Sequence, residues 1–261
     1  MTERKSDIFC KEIKKHTNLI NPIVLENVDS TNSYAKALCH KGFAEGDCIF
    51  ALSQSGGRGR LGRSFFSYEG GIYMSLILKP ALSADCALFI TTAAAVAVSE
   101  AIDKLFGKTS KIKWVNDIYI NDKKVCGILT EGAINEGGAL EYAVLGIGIN
   151  LGAPENFPED ISSIAASVLE TADDFNIKAK LIAEIVKIFF EIYKMGESKD
   201  YMSRYKERSY LKNKKIEFVK DGNTYTADVL GIDDNAGLIL SINGKEITLS
   251  AGEVSVRQVK D

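Results

Sequence analysis

The sequence is poor in the residues that most metal and redox chemistry needs. Its 261 residues include two histidines, His16 and His40, and five scattered cysteines, Cys10, Cys39, Cys48, Cys86 and Cys126, with no Cys-x-x-Cys pair. A histidine metal cage and a Ser-His-Asp triad are therefore disfavoured, and neither a disulfide framework nor a thiolate zinc site is suggested. A reduced cytoplasm is the natural compartment. Long hydrophobic runs are also missing: the most apolar stretch, "ALFITTAAAVAVSEAI", falls short of the roughly 20 residues that span a bilayer, and the charged start "MTERKSDIFCKEIKKH" does not resemble a signal peptide. No broad basic excess accompanies the net charge of -3, which argues against a general nucleic-acid coat. Any anion binding must be local.

What is present is an ordinary globular composition, 46% hydrophobic and 26% charged, sized for one large domain and one small one. A short helix is expected after "VDSTN", capped by Asp29, Ser30 or Thr31 and ended by Gly42. Strands "CIFAL" and "IYMSLIL" follow. The apolar run is expected to form a helix packed between layers, with Ser83 as cap, Asp85 in its first turn and Gly107 at its end. "KIKWV", "DIYIN" and "VCGILTE" read as strands, the last two joined by a hairpin at Asn121-Asp122, and "EYAVLGIGINL" as a further buried strand. Residues 177 to 195 have the period of an amphipathic helix lying on a sheet. After about residue 212, short alternating strands broken by Asp221-Gly222, Asn235-Ala236-Gly237 and Asn243-Gly244 predict a small β-barrel.

One loop stands out. "SQSGGRGRLGRSFFSY" (53–68) places three arginines among four glycines, and no carboxylate occurs from Cys48 to Tyr68. "GRGRLG" matches G-x-G-x-x-G, and "GRGRLGRS" matches a P-loop except for Arg63 in the lysine position, but both motifs need a helix directly after the glycines, where this sequence continues into a strand. An RGG-type tract would be repeated and disordered, and this one occurs once. A merely solvated loop is the plain alternative. Forked guanidinium groups beside glycines that admit close backbone approach suit a carboxylate, a phosphate or both. Four polar segments, "VDSTN", this loop, "KWVND" with Lys113, Trp114, Asn116 and Asp117, and "GIGIN" (146–150), each interrupt an apolar element.

Taken together, "DSTN", "SQSGGRGRLGRSF", "KWVND", "KVCGILTE" and "GIGINL" resemble the catalytic domain of the biotin protein ligases, in order as well as in wording, and "NFPEDISSIAASV" and "AGEVSVR" extend the resemblance from about Ile23 to Arg257. The resemblance implies an α+β fold: a mixed β-sheet catalytic domain with packed helices, like class II aminoacyl-tRNA synthetases, over residues 1–212 (1–21 as an N-terminal extension), and an SH3-like barrel over 213–261. It implies that biotin and ATP, with Mg2+, form biotinyl-5′-adenylate, and that the biotinyl group then passes to a lysine of a carboxylase's biotin carboxyl carrier domain. By the same resemblance Lys113, Arg58 and Arg60 are catalytic. Ser30, Thr31, Asn32, Gln54, Arg58, Gly59, Arg60, Lys113 and Gly127 bind biotin. Arg58, Arg60, Arg63, Phe65, Lys113, Asn116 and Asn150 bind ATP, and Asp117 is a candidate helper in deprotonating the acceptor lysine.

Two departures from the family pattern are Val115, where proline is usual, and Phe65, often a tryptophan. Only 28 residues precede Asp29, so the enzyme-only type is expected, without the N-terminal DNA-binding domain: no DNA, no membrane, and either a monomer or a homodimer. A lipoate or octanoate ligase or transferase of the related fold, and a non-enzymatic biotin sensor, are the competing readings.

Overall fold

The computed structural model describes residues 3–80, 87–154, 158–196, 198, 200–220, 222–250 and 256–259. The chain forms α1 (Lys5–His16), β1 (Asn21–Val28), α2 (Thr31–Cys39), β2 (Asp47–Gln54), β3 (Ile72–Leu78), α3 (Ala87–Phe106), β4 (Lys111–Lys113), β5 (Asp117–Ile120), β6 (Lys123–Ile134), β7 (Leu140–Ile149), α4 (Glu159–Ser162), α5 (Phe175–Tyr193) and α6 (Met202–Glu207). Five strands then follow: β8 (Lys215–Lys220), β9 (Asn223–Ile232), β10 (Leu238–Ile242), β11 (Lys245–Leu249) and β12 (Val256–Gln258).

The first seven strands make one sheet in the order β1-β2-β3-β7-β6-β5-β4. Only β1 and β2 run parallel, because α2 crosses between them; the other neighbours are antiparallel. Strand alternation divides the sheet into two faces. Cys48, Phe50 and Leu52 of β2, and Leu145, Ile147 and Ile149 of β7, enter the main core with α1, α3 and α5, whereas Ile49 and Val144 meet Ala35 of α2 on the other face. That second face carries the cleft described below.

The expected helix after "VDSTN" forms as α2, capped by Ser30, whose hydroxyl accepts the Ser33 N–H, and Gly42 lies beyond its end at φ 103°. α3 is apolar all round and buried all round, with Ile90, Ala93 to Val98, Ala101 and Ile102 at 0% exposure; Gly107, at φ 61°, follows its last residue. Its expected cap residues Ser83 and Asp85 lie outside the described residues, as do 155–157 and 251–255 of the two outlying motifs. Asn121 and Asp122 adopt φ 49° and 60° at the β5–β6 hairpin.

One packing expectation is corrected. α5 finds its main partners in α1 and α3 rather than in the strands. The reason is α3 itself, which offers a second apolar side, and α1, whose buried Phe9 stacks on Phe175 with ring centroids 4.9 Å apart. The N-terminal extension is thus part of the helical layer. Burying a phenylalanine such as Phe9 contributes about 2 kcal/mol.

The last five strands form an antiparallel sheet in the order β11-β10-β9-β8-β12, compatible with the SH3-like barrel, and Asn243-Gly244 turns at φ 51° and 80° between Ile242 and Lys245. Its core is continuous with that of the large sheet: Ile216, Phe218 and Leu240 belong to the same buried cluster as Ile112, Trp114 and Tyr205. Among the described residues, no helix is long and apolar enough to cross a membrane.

Candidate active site

The cleft has a floor of bare backbone. Alternation sends Ile147 and Ile149 into the core and leaves Gly146 and Gly148 on the opposite face; Gly127 of β6 pairs directly with Gly148. A Cβ on Gly146 would overlap the amide of Asn32, and one on Gly148 would come within 2.7 Å of the Phe65 ring, which also lies 3.2 Å from where a Gly127 Cβ would be. Any side chain here would evict Asn32 or Phe65.

One wall is the N-terminal turn of α2. The parallel pair β1–β2 ends in register at Val28 and Gln54, which brings Ser30 and Gln54 together. Ser30, Thr31 and Asn32 are 2%, 4% and 4% exposed, a burial that polar groups tolerate only when bonded. The Thr31 N–H donates to Gln54 Oε1 (2.8 Å), and Gln54 Nε2 donates to Ser67 Oγ (2.8 Å). Ser75 Oγ lies 2.8 Å from Thr31 Oγ1 and 2.6 Å from Asn32 Oδ1, and its single proton serves one of them at a time. Asn32 Nδ2 donates to Glu131 Oε2 (2.9 Å), while Lys36 Nζ reaches Glu131 Oε1 (2.6 Å). Burial acts to raise the Glu131 carboxyl, but the hydrogen bonds from Lys36 and Asn32, with the nearby charges of Lys36 and Arg58, hold it below its ordinary range.

The facing wall is cationic. Residues 57–65 close into a small hairpin: the Gly59 N–H donates to Arg63 O (2.7 Å), the Phe65 N–H to Gly57 O (2.8 Å), and Leu61 and Gly62 turn at φ 55° and 72°. Gly57 is fixed by its neighbours, since a Cβ would strike Phe65 O and Ser67 Oγ. Arg60 reaches across to Asn116, Nη1 donating to Oδ1 (3.2 Å), and Asn116 Nδ2 donates to Ile128 O (2.6 Å). Burial pushes the Arg60 guanidinium below its usual value, partly offset by Asp117.

Lys113 Nζ donates to Tyr119 Oη (3.4 Å), whose phenol is pushed up to about 12 by burial and by Asp117. Lys124 Nζ sits 2.7 Å from Asp117 Oδ1 and 5.9 Å from the Phe65 ring centroid. No hydrogen bond aligns on that buried Asp117 oxygen, so the Lys124–Asp117 contact is an ion pair with donor capacity to spare.

The lining of the cleft gathers Arg58, Arg60, Arg63, Lys113 and Lys124 against one carboxylate, Asp117. Two such charges 4 Å apart interact by about 4 kcal/mol at an effective dielectric of 20, so this excess favours an anion strongly. Among the described residues, no cluster of three or more His, Cys, Asp or Glu could cage a metal.

Most residues singled out by sequence meet here: Ser30, Thr31, Asn32, Gln54, Arg58, Gly59, Arg60, Arg63, Phe65, Lys113, Asn116, Asp117 and Gly127 all line the cleft. Asn150 does not. It lies 5% exposed behind the wall, its Nδ2 donating to Ala166 O (3.2 Å) and its N–H to Val125 O (2.8 Å). Lys124, Ser75 and Glu131 were passed over. Lys124 escapes because simple alternation from Gly127 puts it on the core face; β5 pairs Ile118 with Cys126 and Tyr119 with Lys124, so Val125 bulges and Lys124 is turned to the cleft. The Trp114–Val115 peptide, at the expected proline position, is cis.

A profile of the biotin/lipoate A/B protein ligase family matches residues 24–150, the stretch from β1 to the end of β7 that builds floor and walls. The bifunctional ligase/repressor BirA of Bacillus subtilis is 35% identical over 228 residues, 83% of this chain and 68% of that protein. The biotin--[acetyl-CoA-carboxylase] ligase of Mycobacterium tuberculosis is 26% identical over 242 residues, 88% of this chain and 87% of the other. Among solved structures, the biotin protein ligase from Aquifex aeolicus in complex with biotin and ATP has a TM-score of 0.78 at 26% identity, covering 92% of this chain and 99% of that one. Sheet, motif order and extent of likeness agree, and the chain belongs to the biotin/lipoate A/B protein ligase family.

Proposed function

We propose that the protein is an ATP-dependent biotin ligase that makes biotinyl-5′-adenylate and transfers the biotinyl group to a lysine of a biotin carboxyl carrier domain. The observation that carries this reading is a cleft with five cations against one carboxylate in a chain of net charge -3. A carboxylate attacking the α-phosphorus of a triphosphate brings two anions together. Arg58, Arg60, Lys113 and Lys124 lower that repulsion and stabilise the charge that builds on the phosphoryl oxygens as pyrophosphate leaves. Arg60 is held by Asn116 before any ligand arrives, so little reorganisation is needed.

The buried Ser30–Asn32 turn supplies hydroxyl and amide groups for a ureido ring, with Gly146 allowing close approach, and this favours biotin over lipoate. Phe65 and Arg63 face the nucleotide. In the second step the carrier lysine, ordinarily near 10.4, must arrive as the free amine, attack the carbonyl and release AMP. Asp117 is engaged with Lys124, so its first task is to orient that ammonium. Magnesium would enter with the ATP phosphates and screen their charge, held mainly by phosphate and water as this ion prefers. ATP supply and the unpaired Cys10, Cys39, Cys48 and Cys126 suit a cytoplasmic setting.

Incubation with biotin, Mg-ATP and a carrier domain, followed by mass measurement of that domain, tests the proposal. One biotinyl group added only when ATP is present is expected. No gain, or equal modification with lipoate, contradicts it.

A further inference from the structure

We propose that Tyr68 is a positioning residue for the nucleotide side of the cleft, an inference that rests on the ligase reading. Tyr68 lies just beyond the arginine hairpin. Its backbone is pinned by Tyr73, whose hydroxyl accepts the Tyr68 N–H (2.8 Å) and donates to Tyr68 O (2.8 Å). Its own hydroxyl donates to Gly152 O (2.6 Å) and lies 3.1 Å from Ser167 Oγ. The segment it grips continues straight to the site. Ala166 N–H donates to Lys124 O (2.9 Å), Lys124 N–H donates to Ile164 O (2.9 Å), and Asn150 holds the segment from beneath through Ala166 O and through the N–H of Val168, which donates to Asn150 O (2.9 Å).

The contacts close a ring. Phe65 stands three residues before Tyr68, the Lys124 ammonium sits over Phe65, Lys124 is laced to 164–166, and Ser167 returns to Tyr68. The Tyr68 hydroxyl is the point where the hairpin and the 164–168 segment are tied, so it fixes the distance between Phe65 and Lys124. The Ser30–Asn32 turn takes no part in this ring. Loss of the hydroxyl therefore acts on nucleotide and adenylate and leaves the vitamin end alone.

The test uses the full chain as wild type, Tyr68→Phe, Ser167→Ala and the double variant. Each is loaded with biotin and ATP labelled on the α-phosphate; loss of labelled adenylate is timed, and KM for ATP and for biotin is measured. For one lost hydrogen bond, Tyr68→Phe is expected to release adenylate about 5- to 10-fold faster, with KM for ATP raised in the same measure and KM for biotin unchanged. The ligand-free thermal midpoint should stay within about 2 °C of wild type. The double variant should be no faster than Tyr68→Phe alone.

Release equal to wild type, a parallel rise in both KM values with a lower thermal midpoint, or fully additive effects of the two substitutions overturns the proposal. A wild type that forms no adenylate overturns the ligase reading and this inference with it. Adenylate formed by wild type and retained equally by Tyr68→Phe overturns this inference alone.

Discussion

Gly146 earns its place by what stands opposite. A methyl group there would overlap the Asn32 amide, which is held between Ser75 and Glu131. Gly146→Ala is expected to raise the dissociation constant for biotin at least about 10-fold, a 1.4 kcal/mol effect, with ATP affinity little changed; calorimetric titration of each ligand checks it. The motif "GIGIN" made these glycines legible, since alternate isoleucines fix which face they occupy. Asn32 was legible as a polar residue at a helix start, but Glu131 was not, because nothing local in "GILTE" says that its carboxylate meets residues 32 and 36.

Glu131 carries a pH prediction as well. Its folded-state carboxyl lies below the ordinary 4.5. The stabilisation it brings is complete above that value and is lost as pH falls through the folded-state value. Glu131→Gln should flatten the acid limb of a stability-against-pH curve below about 4.5, a change read by thermal denaturation across pH. An unchanged acid limb contradicts the assignment.

Among elements, the arginine hairpin is where sequence and structure inform each other most. Composition identified it as an uncompensated cationic loop between strands, yet its inner hydrogen bonds and the Arg60–Asn116 contact depend on a chain turn near Leu61 that no motif specified. Arg58 is exposed and Arg60 half-buried, so the two should differ. Arg60→Ala is expected to speed adenylate loss more than Arg58→Ala, because a preorganised, desolvated charge is worth more than a solvated one. Timed release of labelled adenylate ranks them, and equal release by both variants and wild type counts against the role.

The bulge at Val125 is the complementary case. It reverses the parity that made β7 readable, which is why Lys124 looked like one of two turn lysines. α5 was legible as an amphipathic helix, but its partner was not, since its apolar stripe fits a helix such as α3 as well as a sheet.

At the scale of the whole molecule, the order of the strands in the large sheet came from no local signal. It depends on long-range pairing between β3 and β7 and between β6 and β7, which placed residues near 73, 127 and 148 side by side. We propose residues 1–212 and 213–261 as the two domains, joined through one continuous core and through the Trp114 indole N–H, which donates to Ala236 O (2.8 Å). They are expected to unfold together in a single calorimetric transition, with calorimetric and van't Hoff enthalpies equal; two resolved transitions contradict the shared core.

The central claim is that clustered guanidinium and ammonium groups hold a carboxylate and a triphosphate in one cleft. A crystal structure with biotin and a non-hydrolysable ATP analogue tests it most directly. The account predicts the biotin carboxylate and the α-phosphate side by side between the hairpin and Lys113, with the fused ring at Ser30–Asn32. Ligands bound elsewhere, or residues 56–63 turned away from them into solvent, would contradict it.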